Sequence, residues 1–193
     1  MFTDFGLYFG LGWQHILDLA GYDHILFIIV LCGSYLIKDW KKVLILVTAF
    51  TIGHSITLAL SVLQKIRISS NIIEFLIPLT IVITAIINIT GKSSTKNKKL
   101  TYALALIFGL IHGIGFSNYL RSLLGRSSNI TGELLAFNLG LEFGQLVIVS
   151  FILAASFIAI NFFKVLSREW TLFLSSSAFG IALIMATERL SNL

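Results

Sequence analysis

The residues of this chain best suited to chemistry are its four histidines, His15, His24, His54 and His112, each set in or beside an apolar run. His15 and Asp18 stand three apart on one helix face, and Asp23 and His24 follow Gly21, which permits a tight turn. A fold at that glycine would gather two imidazoles and two carboxylates. Capping alone would also account for Asp23 at a helix start and leave His24 as a hydrogen-bonded interfacial residue. His54 lies in Thr48-Ala-Phe-Thr51-Ile-Gly-His54-Ser55-Ile-Thr57-Leu58, where Thr51, His54, Ser55 and Leu58 fall on one stripe at i, i+3, i+4, i+7. Thr51 and Ser55 could serve only as glue between helices. Nothing near His54 in sequence explains an imidazole at mid-span.

His112 sits between Gly109 and Gly113, a small-xxx-small face that lets a neighbouring backbone approach and the ring point inward. Asn138, Glu142 and Gln145, at i, i+4 and i+7 beside Gly140 and Gly144, align a carboxylate with two amides. Glu74 and Asn88 flank Pro78, which is expected to kink its helix and free backbone carbonyls, although Glu74 is near enough to a span end to be merely interfacial. Phe50 and Phe108 each stand four residues before a histidine, an echo that an internal repeat would produce.

Histidines and carboxylates with no thiol partner suit a borderline divalent ion such as Ni2+, Co2+, Zn2+ or Cu2+ better than Ca2+ or Mg2+, which prefer all-oxygen shells. The single cysteine, Cys32, excludes an intramolecular disulfide and a thiolate cluster within one chain. Without a metal, the same groups could relay protons.

These residues need elements to hold them, and composition says which. A hydrophobic fraction of 56%, a charged fraction of 12% and a mean hydropathy of +0.93 place the chain in lipid, as one all-α, polytopic transmembrane domain over 1–193. Apolar runs at 23–37, 43–63, 71–90, 100–120, 133–162 and 170–187 predict six spans. The apolar segment before them, Phe2–Ala20, would make a helix of ~50 Å if joined to the first span, too long for one crossing, so a break near Gly21 and a re-entrant or interfacial first helix are expected. That makes seven helices in total, with a seventh full span as the alternative.

Net charge of +5 does not indicate nucleic acid, because the basic residues fall in short segments between apolar runs. Lys38, Lys41, Lys42, Lys92, Lys96, Lys98, Lys99, Lys164 and Arg168 lie on one side of a six-span topology; Lys65, Arg67, Arg121, Arg126 and Arg189 lie on the other. The bias places the first set in the cytoplasm and both termini outside. Met1–Tyr8 has Asp4 and no basic residue, unlike a cleavable signal, so the spans are expected to direct insertion. In this topology His54 and His112 lie ~18 Å from the cytoplasmic starts of their spans, and His15, Asp23, His24, Glu74, Asn138 and Glu142 toward the outer half. Residues chosen for polarity alone thus share a depth, as one cavity requires.

Taken together these blocks resemble the HupE/UreJ family of bacterial membrane proteins, found with hydrogenase and urease genes and regarded as nickel or cobalt permeases. The resemblance rests on His15 followed by Gly21-Tyr-Asp23-His24-Ile-Leu-Phe27, on the Thr48–Leu58 block, on Gly109-Leu-Ile-His112-Gly113-Ile-Gly115-Phe116 and on Phe137-Asn138-Leu-Gly140-Leu-Glu142-Phe-Gly144-Gln145. Many members have a proline after the first histidine and a shorter gap to the Asp-His pair; here Ile16 follows and two extra residues intervene. The resemblance implies a bacterial membrane protein handling nickel or cobalt; with the donor chemistry, the expected ion is a divalent transition metal (nickel, cobalt or zinc) and the expected location the inner membrane.

The first functional expectation is a permease binding a divalent cation through His15, Asp23, His24, His54, His112 and Glu142, supported by Thr51, Ser55, Glu74, Asn138 and Gln145. The second is an intramembrane hydrolase with a His/Asp-held Zn2+ assisted by Ser55 or Glu142. The third is a non-catalytic assembly subunit. Lipid and a metal ion are the expected partners, with a homo-oligomer or accessory protein left open.

Overall fold

The computed structural model describes residues 2–91, 98–124, 130–191 and 193, and every regular element among them is helical. In chain order these are α1 (Phe2–Leu17), α2 (Asp23–Cys32), a 3-10 turn (Ile37–Asp39), α3 (Trp40–Val62), α4 (Ser70–Ile89), α5 (Lys98–Gly115), α6 (Ser117–Leu124), α7 (Ile130–Asn161) and α8 (Ser167–Leu190). Among the described residues four segments are long and apolar enough to cross a membrane: α3 with its 3-10 turn, α4, α7 and α8. This is a helical membrane protein.

The expected break after the first helix is present, with a different cause. Residues 18–22 form the turn, and Asp18 makes it by accepting the Ala20 N–H at 2.9 Å, while Gly21 has no left-handed backbone. Among the described residues there are eight α-helices against the seven expected, and four of the six expected spans form helices long enough to cross a membrane, the other two being shorter apolar helices. The span expected over 23–37 is helical only to Cys32, where Gly33 follows. The span expected over 100–120 breaks at Phe116, where the Ser117 hydroxyl bonds back to the Ile114 carbonyl at 2.7 Å, and an additional α-helix, α6, begins. A short helix inside a bundle exposes its last carbonyls, and neighbours take up those of α2. Asn88 Nδ2 donates to the Val30 carbonyl at 2.8 Å and Thr171 Oγ1 to the Gly33 carbonyl at 3.3 Å.

Two helix pairs carry the architecture, and glycine makes both. A Cβ at Gly53 of α3 would fall on the Leu106 carbonyl and the Leu110 nitrogen of α5; one at Gly109 would fall on the Phe50 carbonyl, and one at Gly113 on the His54 carbonyl. The second pair repeats this. A Cβ at Gly12 of α1 would fall on the Phe137 carbonyl and the Leu141 nitrogen of α7, one at Gly140 on the Phe9 carbonyl, and one at Gly144 on Ile16 beside the Trp13 carbonyl. The correspondence holds residue by residue: Phe9, Gly12, Trp13 and Ile16 stand for Phe50, Gly53, His54 and Thr57. Phe50–His54 and Phe108–His112 are therefore the two halves of one pair, and the repeat lies in the glycine spacing.

Within each pair the helices run parallel, and the pairs run in opposite directions. α3 starts, and α7 ends, at the end of the bundle where Leu36–Lys38 meet Ser156–Asn161. Arg168 bonds the Asn88 and Ile89 carbonyls at that same end. At the other end Arg189 reaches the Glu74 carbonyl at 2.9 Å and lies 3.9 Å from Asp23. α4 and α8 pack antiparallel between these two ends. Lys38, Lys41, Lys42, Lys164 and Arg168 gather at the first end and Lys65, Arg67, Arg121 and Arg189 at the second; Lys92, Lys96 and Arg126 lie outside the described residues, as do the side chains of Lys98 and Lys99.

Gly109→Ala is expected to destabilise the detergent-solubilised protein by about 3 kcal/mol, because the added carbon meets backbone that cannot yield. Gly180→Ala, with nothing within 4 Å of the new methyl, is the control and should leave the melting midpoint unchanged or raised.

Candidate metal centre

The four histidines come from four helices and meet. Ring centroids lie 4.7 Å apart for His15 and His24, 6.2 Å for His15 and His54, 6.4 Å for His24 and His54, and 5.2 Å for His24 and His112. One nitrogen from each of His15, His24 and His54 falls within 4.8 Å of the others. His54 is 0% exposed, His112 1% and His24 6%. His15 is half-buried and reaches the site despite the longer gap to Asp23-His24, because the Asp18 turn takes up the added residues.

The partners of these rings decide which nitrogens remain available. His24 Nδ1 lies 2.9 Å from Asp23 Oδ1 and His112 Nδ1 2.8 Å from the Phe108 carbonyl. Both oxygens only accept, so both Nδ1 atoms carry the proton and both Nε2 atoms present lone pairs. The Nε2 atoms of all four histidines are buried without a hydrogen-bond partner, as is Nδ1 of His54. Buried polar atoms normally find partners, and each that does not costs about 1–3 kcal/mol. Buried, unpartnered ring nitrogens from four histidines are thus gathered in one place, those of His15, His24 and His54 nearest one another.

Phenylalanines wall the chamber. Phe27 and Phe50 pack on His112 at 5.1 and 5.2 Å, Phe116 on His15 at 3.9 Å, and Phe137 on His15 and His54 at 5.9 and 6.5 Å. Beside His15 a cavity of about 610 Å3 opens, lined by Trp13, Gln14, Asp18, Phe116 and Tyr119 among others.

The other expected site residues divide. Asp23 is buried but turns Oδ1 to the His24 backbone N–H and ring, so it orients an imidazole. Asn138 lies against His54, with its Nδ2 on the Leu134 carbonyl and its Oδ1 buried and unpartnered. Thr51 bonds Gln145 at 2.7 Å, Ser55 bonds the Thr51 carbonyl at 2.7 Å, and Glu142 accepts from Thr48 at 2.7 Å, one step outside the chamber. Glu74 keeps an exposed side chain at the bundle end.

A family comparison now bears on this arrangement: the family described as HupE / UreJ protein matches residues 1–189. The chain belongs to the HupE/UreJ family. Comparison with curated proteins and with solved structures gives no match. The HupE/UreJ family is associated with nickel or cobalt transport or accessory roles, and this member gathers three histidines that could hold a metal ion.

Sequence reasoning missed Arg189 and the phenylalanine walls. Pro78 held the signal for the first. Its missing N–H leaves the carbonyl four residues back, that of Glu74, without a helical donor, and Arg189 supplies one while facing Asp23. Pro78, Arg189, Asp23 and His24 thus form one chain of dependence. Arg189→Met is expected to cost about 2 kcal/mol, the worth of a charged hydrogen bond. Pro78→Ala in the same protein should recover part of that loss, since the alanine restores a backbone N–H that can bond the Glu74 carbonyl itself; a denaturation double-mutant cycle measures the coupling.

Proposed function

We propose that the protein is a permease for a divalent cation of the nickel and cobalt type, and that the four-histidine chamber is its binding station inside the membrane. The observation that carries this is the set of four buried, unpartnered Nε2 atoms, three of the histidines lying within 4.8 Å by one nitrogen each. An ion at the centre of such a triangle sits about 2.8 Å from each nitrogen, so side-chain shifts under ~1 Å bring them to the ~2.0–2.1 Å of a metal–imidazole bond. Neutral imidazole suits nickel, cobalt or zinc over calcium or magnesium. Asp23 holds one imidazole in its ligating tautomer and keeps negative charge close to a cation entering beside His15.

The hydrolase reading has less to stand on. Ser55 commits its hydroxyl to the Thr51 carbonyl and Glu142 is occupied with Thr48, so neither is poised to assist a metal-bound water. The excess of basic residues at the end where α2 finishes supports an inner-membrane topology with that end in the cytoplasm and both termini outside.

Purified protein in detergent is expected to bind Ni2+ or Co2+, and His54→Gln and His112→Gln to weaken that binding at least tenfold, ~1.4 kcal/mol, with matching loss of radioactive nickel uptake into vesicles. Binding and uptake equal to the parent in both variants would overturn the permease and the metal site together.

A further inference from the structure

A binding chamber needs an exit, and α3 and α7 form the seam between the two oppositely directed pairs. Each pair is held backbone to backbone by glycine, whereas α3 and α7 meet through side chains. Polar groups line that seam in order along α3. Asn138 stands against His54, with a buried Oδ1 that no donor satisfies. Next, Gln145 Oε1 accepts from Thr51 at 2.7 Å; then Glu142 Oε1 accepts from Thr48 at 2.7 Å. From His54 to Thr48 is six residues of α3, ~9 Å, toward the end where α3 begins. On α7, Glu142 and then Gln145 lie beyond Asn138 in the same direction, the reverse of the order of their partners on α3, so the two hydrogen-bonded pairs cross the seam side by side. A groove of about 270 Å3 lies along the outer side of the seam, where Thr48, Thr51, Ser55, Asn138 and Glu142 meet the half-exposed Ile52, Ile56, Leu135 and Leu139.

This row is costly unless it has a use. A carboxylate at mid-span costs roughly 2.5–3.5 kcal/mol on insertion scales, and one threonine hydroxyl does not offset that. Its chemistry differs from the chamber's: imidazole nitrogen gives way to amide, hydroxyl and carboxylate oxygen. Oxygen donors hold borderline cations less tightly than imidazole does, which suits a station that must release its ion.

Building on the permease reading, we propose that the α3–α7 seam is a second, oxygen-lined cation site and the way out of the chamber, with Asn138 and Gln145 as stepping ligands and Glu142 as its anionic anchor. The ion passes from His54 to Asn138 and from there to the paired oxygens of Gln145 with Thr51 and Glu142 with Thr48, which stand side by side across the seam. No bond to the protein is made or broken beyond exchange of ligands.

The test compares Glu142→Gln, an isosteric change that keeps an acceptor for Thr48, and Gln145→Leu with the parent. Equilibrium Ni2+ binding in detergent and initial radioactive nickel flux in vesicles are read for each, with size-exclusion and thermal profiles confirming folded protein. Binding of the first, tighter Ni2+ within twofold of the parent, loss of a weaker second binding phase that the parent shows, and flux down at least tenfold in Glu142→Gln with Glu142→Asp recovering part of it, are the expected result. Flux equal to the parent in both variants, or the tighter Ni2+ binding lost along with flux in folded Glu142→Gln, would overturn the separate exit while leaving the histidine chamber standing. A parent protein that binds no Ni2+ would instead overturn the chamber, and the exit with it.

Discussion

Everything in this fold answers to the cost of keeping unpaired imidazole nitrogens in a bundle that excludes water. Each orphaned Nε2 is worth about 1–3 kcal/mol of lost solvation, and the chain holds four of them together. Helices could lessen that cost by turning the rings toward backbone carbonyls or hydroxyls. Instead the second nitrogens of His24 and His112 are tied to Asp23 and the Phe108 carbonyl, which fixes each ring with its lone pair inward. Phenylalanines pack against the rings, Phe116 on His15 and Phe50 on His112. A cation held there would replace the missing partners of His15, His24 and His54 at once.

The rigidity needed for such a chamber comes from the glycine crossings. With Gly12, Gly140 and Gly144 in one pair and Gly53, Gly109 and Gly113 in the other, the backbones approach too closely for even a methyl group, so each pair moves as a unit. His15 belongs to the first unit and His54 and His112 to the second, while α2 brings His24 between them on a short helix anchored by Asn88, Thr171 and Arg189. The two units, α1 with α7 and α3 with α5, run in opposite directions through the bundle. The chamber lies where the units meet, which is where small relative motion most changes ligand spacing.

Much of this was readable from the sequence, for definite reasons. The histidines stood out because an apolar helix has no use for them, and their gathering followed from shared depth. The glycine spacing of α5 and α7 announced close packing, and the helix break before Asp23 followed from length alone. Other features were less legible. The ends of α2 and α5 depend on tertiary partners such as Asn88 and on one serine hydroxyl, which periodicity does not register. Glu142 shares a helix face with Asn138, and only the crossing of α3 and α7 reveals that one touches the chamber while the other lies beyond it. Arg189 is distant in sequence from the Pro78 defect it repairs, and no local pattern joins them.

The central claim is that imidazoles from separate helices converge on one ion, and X-ray absorption spectroscopy of the purified protein loaded with one equivalent of Ni2+ tests it most directly. The predicted spectrum is that of a nitrogen-dominated shell with the multiple-scattering signature of at least three imidazoles, matching the cluster of His15, His24 and His54. A shell of oxygen donors with no more than one imidazole would contradict it.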